Sequence, residues 1–203
     1  TGQIQSYGDS EDNQFFLSRE QLLSSRVSAI QGDWIGLEFG VAEGALTRHI
    51  VSQRFFQNCI AWHGFDSFLG LPRDWGDLVA GTFSTGGQPP TINNSKIRWH
   101  IGEIKRDQFE VDFIPQLRKE TLVVILDMDL YEPTHWVLDK LFPFLKDGDL
   151  LYFDEAFHED EALVIEELLE QKGDFLRPIG FTIFAQIFEV VNMKSNRESN
   201  LSA

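Results

Sequence analysis

Four carboxylates at two short spacings are the residues in this chain best suited to chemistry. Asp127 and Asp129 follow the apolar run 122–126, and Asp154 and Glu155 follow a second, nearly apolar run, 149–153. Runs apolar on both faces suit buried parallel strands covered by helices. In an open α/β sheet, ligands sit beyond the carboxyl ends of the strands. The four acids would therefore converge where a ligand belongs. Isolated charges gathered there repel one another and are costly to desolvate, and a divalent cation is one physical reason to gather them. Mg2+ takes oxygen ligands and needs only a few carboxylates. Asp127, Asp154 and Glu155, at the tips of adjacent strands, can reach one ion. Asp129 is either a further ligand or the base for a hydroxyl acidified by the metal. A competing role for Asp129 or Glu155 is to cap the helix that follows.

A second constellation spans residues 38–44, Glu-Phe-Gly-Val-Ala-Glu-Gly. It follows a predicted strand (34–39) and opens a predicted helix (45–56), the place of a nucleotide-binding turn. Its spacing is not the dinucleotide pattern GxGxxG. Glu38 and Glu43 flank it, so a pyrophosphate would be repelled and an ammonium group attracted. That favours S-adenosylmethionine over NAD; the plain alternative is a glycine turn with exposed acids. Asp66 ends the next predicted strand, where a carboxylate can accept both hydroxyls of a ribose, or simply start a turn. Of the histidines, His49 reads as a helix-surface residue, His63 and His100 as strand-end residues able to line the cleft, and His135 as part of the helix after Asp129. His158 falls on the ligand side of the sheet.

The elements that must position these residues alternate between strand and helix, which points to βαβ units and a parallel sheet. Residues 1–13 read as a loose arm, with Ser10 or Asp12 as a cap for an amphipathic helix over 14–30. The other strands are 59–64, 97–101, 122–126 and 149–153, with two more in 175–191. Residues 105–120 form a connecting segment, Glu132-Pro133 starts a helix, and 159–172 is an acidic helix with Leu163, Ile165, Leu168 and Leu169 inward. Residues 65–95 are Gly- and Pro-rich. A loop of that length is usually functional, and Phe68, Trp75 and Phe83 predict that it folds over something. Residues 194–203 read as a frayed tail, which leaves 14–193 as one domain.

The bulk numbers set bounds. At 203 residues, 42% hydrophobic and 24% charged, the chain is long enough for one real core. A net charge of −15 argues against a nucleic-acid partner, which requires a basic surface. Cys59 is the only cysteine, which excludes an intrachain disulfide and a zinc cluster and fits a reducing, cytoplasmic setting. No apolar run reaches membrane-spanning length, and the N-terminus lacks the layout of a signal peptide. The chain opens on Thr1, so residues upstream are expected.

With these motifs in place, the sequence resembles class I S-adenosylmethionine-dependent methyltransferases and, among them, the macrocin O-methyltransferase (TylF) family. EFGVAEG at 38–44 resembles that family's cofactor loop, DSFLGLP at 66–72 its DSFEGLP segment, and LDMDLYEPT at 126–134 with FDE at 153–155 its metal motifs. Glu155 stands where a second Asp is usual. The resemblance implies a Rossmann-like three-layer sandwich around a mostly parallel, seven-stranded sheet. It implies Mg2+-dependent methyl transfer from S-adenosylmethionine to a hydroxyl of a sugar or other small-molecule natural product. Glu38, Gly40, Gly44, Asp66 and Ser67 would hold the cofactor, Asp127, Asp154 and Glu155 the metal, and Asp129 would be the general base. The alternatives are a metal-independent methyltransferase, an NAD-linked Rossmann enzyme or a non-catalytic binding domain. A homodimer is one option for the assembly.

Overall fold

The computed structural model describes Tyr7, residues 11–104 and residues 118–193. In chain order the strands are β1 (Gln14–Phe15), β2 (Trp34–Phe39), β3 (Cys59–Asp66), β4 (Ile97–Ile101), β5 (Thr121–Leu126), β6 (Leu150–Phe153), β7 (Leu176–Phe181) and β8 (Gln186–Val190). The helices are α1 (Arg19–Ser28), α2 (Ala45–Ser52), α3 (Tyr131–Leu141) and α4 (Glu159–Lys172). One sheet runs β1-β7-β8-β6-β5-β2-β3-β4. Neighbours from β4 to β6 are parallel, and β8 is antiparallel to both β6 and β7.

The apolar run of β5 explains the layering. Successive side chains of a strand point to opposite faces. Leu122, Val124 and Leu126 enter one core with Val137 and Leu138 of α3 and Ile165 of α4. Val123 and Ile125 enter the other with Leu22 and Leu23 of α1 and Ile50 of α2. A strand buried on both faces has no room for polar residues until its tip, and there Asp127 begins. At the opposite end of the sheet, Asp149 is fully buried beside the equally buried Arg118, and it also accepts the N–H groups of Leu122 and Lys146, each at 2.8 Å.

Several expectations are corrected. The helix expected over 14–30 begins only at Arg19. Ser18, rather than Ser10 or Asp12, caps it by accepting the Gln21 N–H at 3.2 Å. Gln14–Phe15 instead pairs with β7 as an eighth strand, because the open edge of β7 offers unpaired backbone groups. Tyr7, within the presumed loose arm, stacks on Phe157 at 5.3 Å and donates its hydroxyl to the Ala156 carbonyl at 2.9 Å. The helix after the glycine turn stops at Ser52, followed by a 3-10 turn over Arg54–Asn58. In α4 the buried residues are Glu161, Val164 and Ile165, while Leu163 is largely exposed. Most of the connecting segment, 105–117, lies outside the described residues, as do 194–203. Among the described residues, no helix is long and apolar enough to cross a membrane.

Candidate active site

The strand order reverses at β2, which has β3 on one side and β5 on the other. A cleft of about 1080 Å³ opens there, beyond the strands' carboxyl ends. The turn after β2 forms its floor. Gly40, Ala42 and Gly44 have φ of 86°, 46° and 75°, the left-handed region that favours glycine. A Cβ on Gly40 would lie 1.7 Å from the Asp127 carbonyl oxygen, so the turn packs directly against the tip of β5. Gly44 precedes the first residue of α2.

Asp66 fastens this turn. Its Oδ2 accepts the N–H groups of Val41 and Ala42 at 2.7 and 2.8 Å, and its Oδ1 accepts that of Phe68 at 2.7 Å. A carboxylate offers about four acceptor positions, which leaves one for a ligand hydroxyl. Ser67 lines the cleft, and its Oγ accepts the Leu69 N–H at 3.1 Å. Glu38 is buried and lines the cleft as well. Its Oε2 accepts the Trp62 indole N–H at 3.0 Å and the Thr47 hydroxyl. Burial pushes its carboxyl up to about 8, with the bonds from Thr47 and Trp62 opposing. The turn is therefore flanked by one acid held largely protonated at pH 7 and one exposed acid, Glu43.

Asp127, Asp129, Asp154 and Glu155 line the same cleft. Asp129 has φ 61°, a conformation uncommon outside glycine, though Asp tolerates it better than most. Burial, then Glu155 and Asp154, push its carboxyl up to about 7. Asp127 is raised well above the usual range by burial and by Asp154. Asp154 is raised by burial against the pull of Arg19, and it accepts the Tyr152 hydroxyl at 2.6 Å. Neither helix-capping role materialises. Leu130 occupies the cap position of α3 and His158 that of α4.

Two participants escaped the sequence reading. Arg19, at the start of α1, lies 3.3 Å from Asp154 Oδ2, pairs with Glu155, and sits over the Phe184 ring at 5.0 Å. Glu161 of α4 is buried; its Oε2 accepts the Glu155 N–H at 3.0 Å while its Oε1 is buried without a hydrogen-bond partner. Burial raises its carboxyl, with Asp154 and Asp129 adding to the effect. The signal for Glu161 was hidden in an acidic helix that reads as a solvated face. Arg19 had no local signal, since its partner Glu155 is 136 residues away.

Among the described residues, no three His, Cys, Asp or Glu side chains are arranged to hold a metal ion. Asp127, Asp154 and Glu155 share the cleft, but Arg19 already engages two of them. The donor set still fits a hard cation in its chemistry: all oxygens, largely buried, with an unpartnered carboxylate oxygen on Glu161 close by.

The loop after β3 closes over the cleft as predicted. Its halves pair through Leu71 N–H to the Thr82 carbonyl at 2.9 Å and Gly81 N–H to the Leu71 carbonyl at 2.8 Å. Arg73 ties it to Glu132 and Asp160 at 3.1 and 3.3 Å, and Trp75 rests on His158 at 4.3 Å. His158 thus supports the loop instead of lining the cleft. His63 and His100 also lie outside the cleft lining. They face each other with Nδ1 and Nε2 2.8 Å apart, and burial pushes His63 down to about 4. His49 does reach the cleft and contacts Ser24 Oγ at 2.8 Å.

The sheet order and the cleft at its switch point define a Rossmann-like fold. Solved structures that share it include the calicheamicin methyltransferase CalS11, with a TM-score of 0.61, 21% identity, and 84% of this chain and 76% of that chain covered. The O-methyltransferase NovP has a TM-score of 0.58 and 20% identity, with 85% and 80% covered. An rRNA methylase from Streptococcus thermophilus reaches 0.51 at 11% identity, with 87% and 99% covered. At these identities the likeness is one of fold. The sequence matches no protein-family model and no curated protein sequence.

Proposed function

We propose that the protein is an S-adenosylmethionine-dependent O-methyltransferase acting on a hydroxyl of a sugar or other small-molecule natural product, assisted by Mg2+. One observation carries this reading: the glycine turn, Asp66 and the carboxylate Asp129 open into a single cleft at the switch point of the sheet. A volume of about 1080 Å³ lies at the upper end of the roughly 300–1,000 Å³ typical of ligand pockets, a size that accommodates a large cofactor. The description of CalS11 as a TDP-rhamnose 3'-O-methyltransferase and of NovP as an O-methyltransferase point the same way, and the net charge of −15 disfavours the RNA substrate named for the rRNA methylase.

When bound, S-adenosylmethionine supplies an electrophilic methyl group on a sulfonium centre. Mg2+, held by Asp127, Asp154 and Glu155, would lower the pKa of an acceptor hydroxyl. The chain's own residues do the rest. Asp66 keeps the turn 40–44 in its left-handed shape and retains one acceptor position for a ribose hydroxyl. Glu38 and Ser67 border the same side of the cleft. Asp129 accepts the acceptor's proton on a carboxyl positioned by an unusual backbone conformation. The loop over the cleft keeps water out and fixes the approach of oxygen to methyl, a source of much of the rate in such transfers.

Calorimetry with S-adenosylhomocysteine and NAD side by side tests the reading. Binding of the former alone supports it; binding of NAD in its place overturns it.

A further inference from the structure

The buried carboxyl of Glu161 has no part in the reaction as described above. Resting on the metal-assisted reading, we infer that Glu161 is a positioning residue for the cation site: through the Glu155 N–H it fixes the chain just beyond β6 and so the direction in which Glu155 presents its carboxylate. The bonds along this stretch show how. β6 ends at Phe153, and the Asp154 N–H still reaches a strand, donating to the Leu126 carbonyl of β5 at 3.0 Å. Leu126 is the last residue of β5. The Glu155 N–H lies one position further on, and it donates to Glu161 Oε2 at 3.0 Å. The Glu155 carbonyl accepts the His158 N–H at 2.9 Å. The backbone of Glu155 is thus pinned on both sides of its side chain, and the N–H side is pinned by Glu161.

Support of its own helix does not account for this bond. Glu161 is the third residue of α4. A Glu there ordinarily turns back to the N–H of the residue that caps its helix. The cap is His158, whose N–H is already taken by the Glu155 carbonyl, and Glu161 reaches past it to Glu155. The other acids of that first turn face elsewhere: Glu159 is exposed, and Asp160 meets Arg73 and the Tyr131 N–H. Glu161 is 1% exposed, and its Oε1 is buried without a hydrogen-bond partner. A buried polar oxygen without a partner costs stability, so an apolar side chain would serve the core better. What the carboxyl adds is its grip on the Glu155 N–H. Groups behind a cation's ligands orient those ligands, and their loss typically weakens the ion by about 10–100-fold. Glu161 lies outside the cleft lining, so it acts through Glu155. Accepting an N–H requires only an oxygen lone pair, so the role does not depend on the charge of Glu161.

Two conservative variants of the full chain separate reach from charge. Glu161→Asp keeps the carboxyl but shortens it by one methylene, so it cannot span to the Glu155 N–H. Glu161→Gln keeps an acceptor oxygen at full length without the acid. The probe is Mn2+, read by electron paramagnetic resonance of the free ion, with S-adenosylhomocysteine affinity measured in parallel by calorimetry. Glu161→Asp is expected to bind Mn2+ at least tenfold more weakly than the wild type and Glu161→Gln within twofold of it, both with S-adenosylhomocysteine affinity unchanged. Wild-type Mn2+ affinity in both variants overturns the inference, because Glu161 then serves only its helix. A tenfold loss in Glu161→Gln also overturns it, because the acid itself is then what the cation requires. Should Glu161→Asp fail to give a cooperative melting transition, the glutamine variant decides alone. A wild type that binds S-adenosylhomocysteine but no Mn2+ overturns the inference and leaves methyl transfer standing. Absence of S-adenosylhomocysteine binding sinks the methyl-transfer reading alone, because the Mn2+ measurements still score Glu161.

Discussion

Arg19, the first residue of α1, places its guanidinium 3.3 Å from the carboxylate of Asp154, and it is the internal cation of the acid cluster. The same group holds Glu155. A divalent ion that takes Asp154 and Glu155 as ligands must displace this guanidinium first, so the two cations compete. Arg19→Ala is expected to bind Mn2+ about tenfold tighter than the wild type, read by electron paramagnetic resonance of the free ion. Unchanged or weaker binding would show that the guanidinium is no obstacle. The variant also leaves buried carboxylates without their counter-charge, so its thermal stability without metal is expected to drop and to recover when Mn2+ is added.

Asp129→Asn keeps the shape of the side chain and removes its ability to accept a proton. General-base groups contribute about 10² to 10⁴ in rate, and a loss of that size in kcat is expected, with S-adenosylhomocysteine affinity within twofold of wild type. Full retained turnover would remove Asp129 from the mechanism.

Glu38 sets a pH dependence of stability. Burial raises its folded carboxyl to about 8 from the ordinary value of 4.5. Below the unfolded value both states are protonated and no penalty applies. As pH rises from about 4.5 towards 8, the unfolded chain releases this proton while the folded chain retains it, so stability falls. The melting temperature is therefore expected to be higher at pH 5.5 than at pH 8. Glu38→Gln should flatten that slope, since the amide oxygen can still accept from Trp62 and Thr47 without a proton to lose. A slope of equal steepness in the variant would assign the effect to other acids.

Arg118 and Asp149 form a buried pair at the end of the sheet away from the cleft. Removing one partner of a buried pair strands the other charge and typically costs about 3–5 kcal/mol. Urea unfolding of Arg118→Met should show a loss of that order, with cofactor affinity unchanged. A loss below about 1 kcal/mol would mean that Asp149 is adequately satisfied by the Leu122 and Lys146 N–H groups alone.

The sequence by itself determined the parallel sheet and the placement of its acids. Short continuous apolar runs such as 122–126, alternating with helical patterns, suit strands buried on both faces, so their first polar residues mark the ligand side. The glycine turn was legible for the same kind of reason, since left-handed backbone at residues 40 and 44 admits little but glycine. The β1 strand was not legible, because two residues carry no period and their partner, β7, lies far along the chain. The roles of the acids were decided only in three dimensions. Asp66 spends three acceptor positions on N–H groups of the turn and of Phe68, and Glu38 spends one of its carboxylate oxygens on Trp62 and Thr47. Glu161 turned from surface residue to buried acid because α4 packs that face inward. Arg19 reached the cluster because α1 is docked against the sheet's other face. A charge's partner is set by proximity in space, and long-range proximity leaves no trace in local spacing.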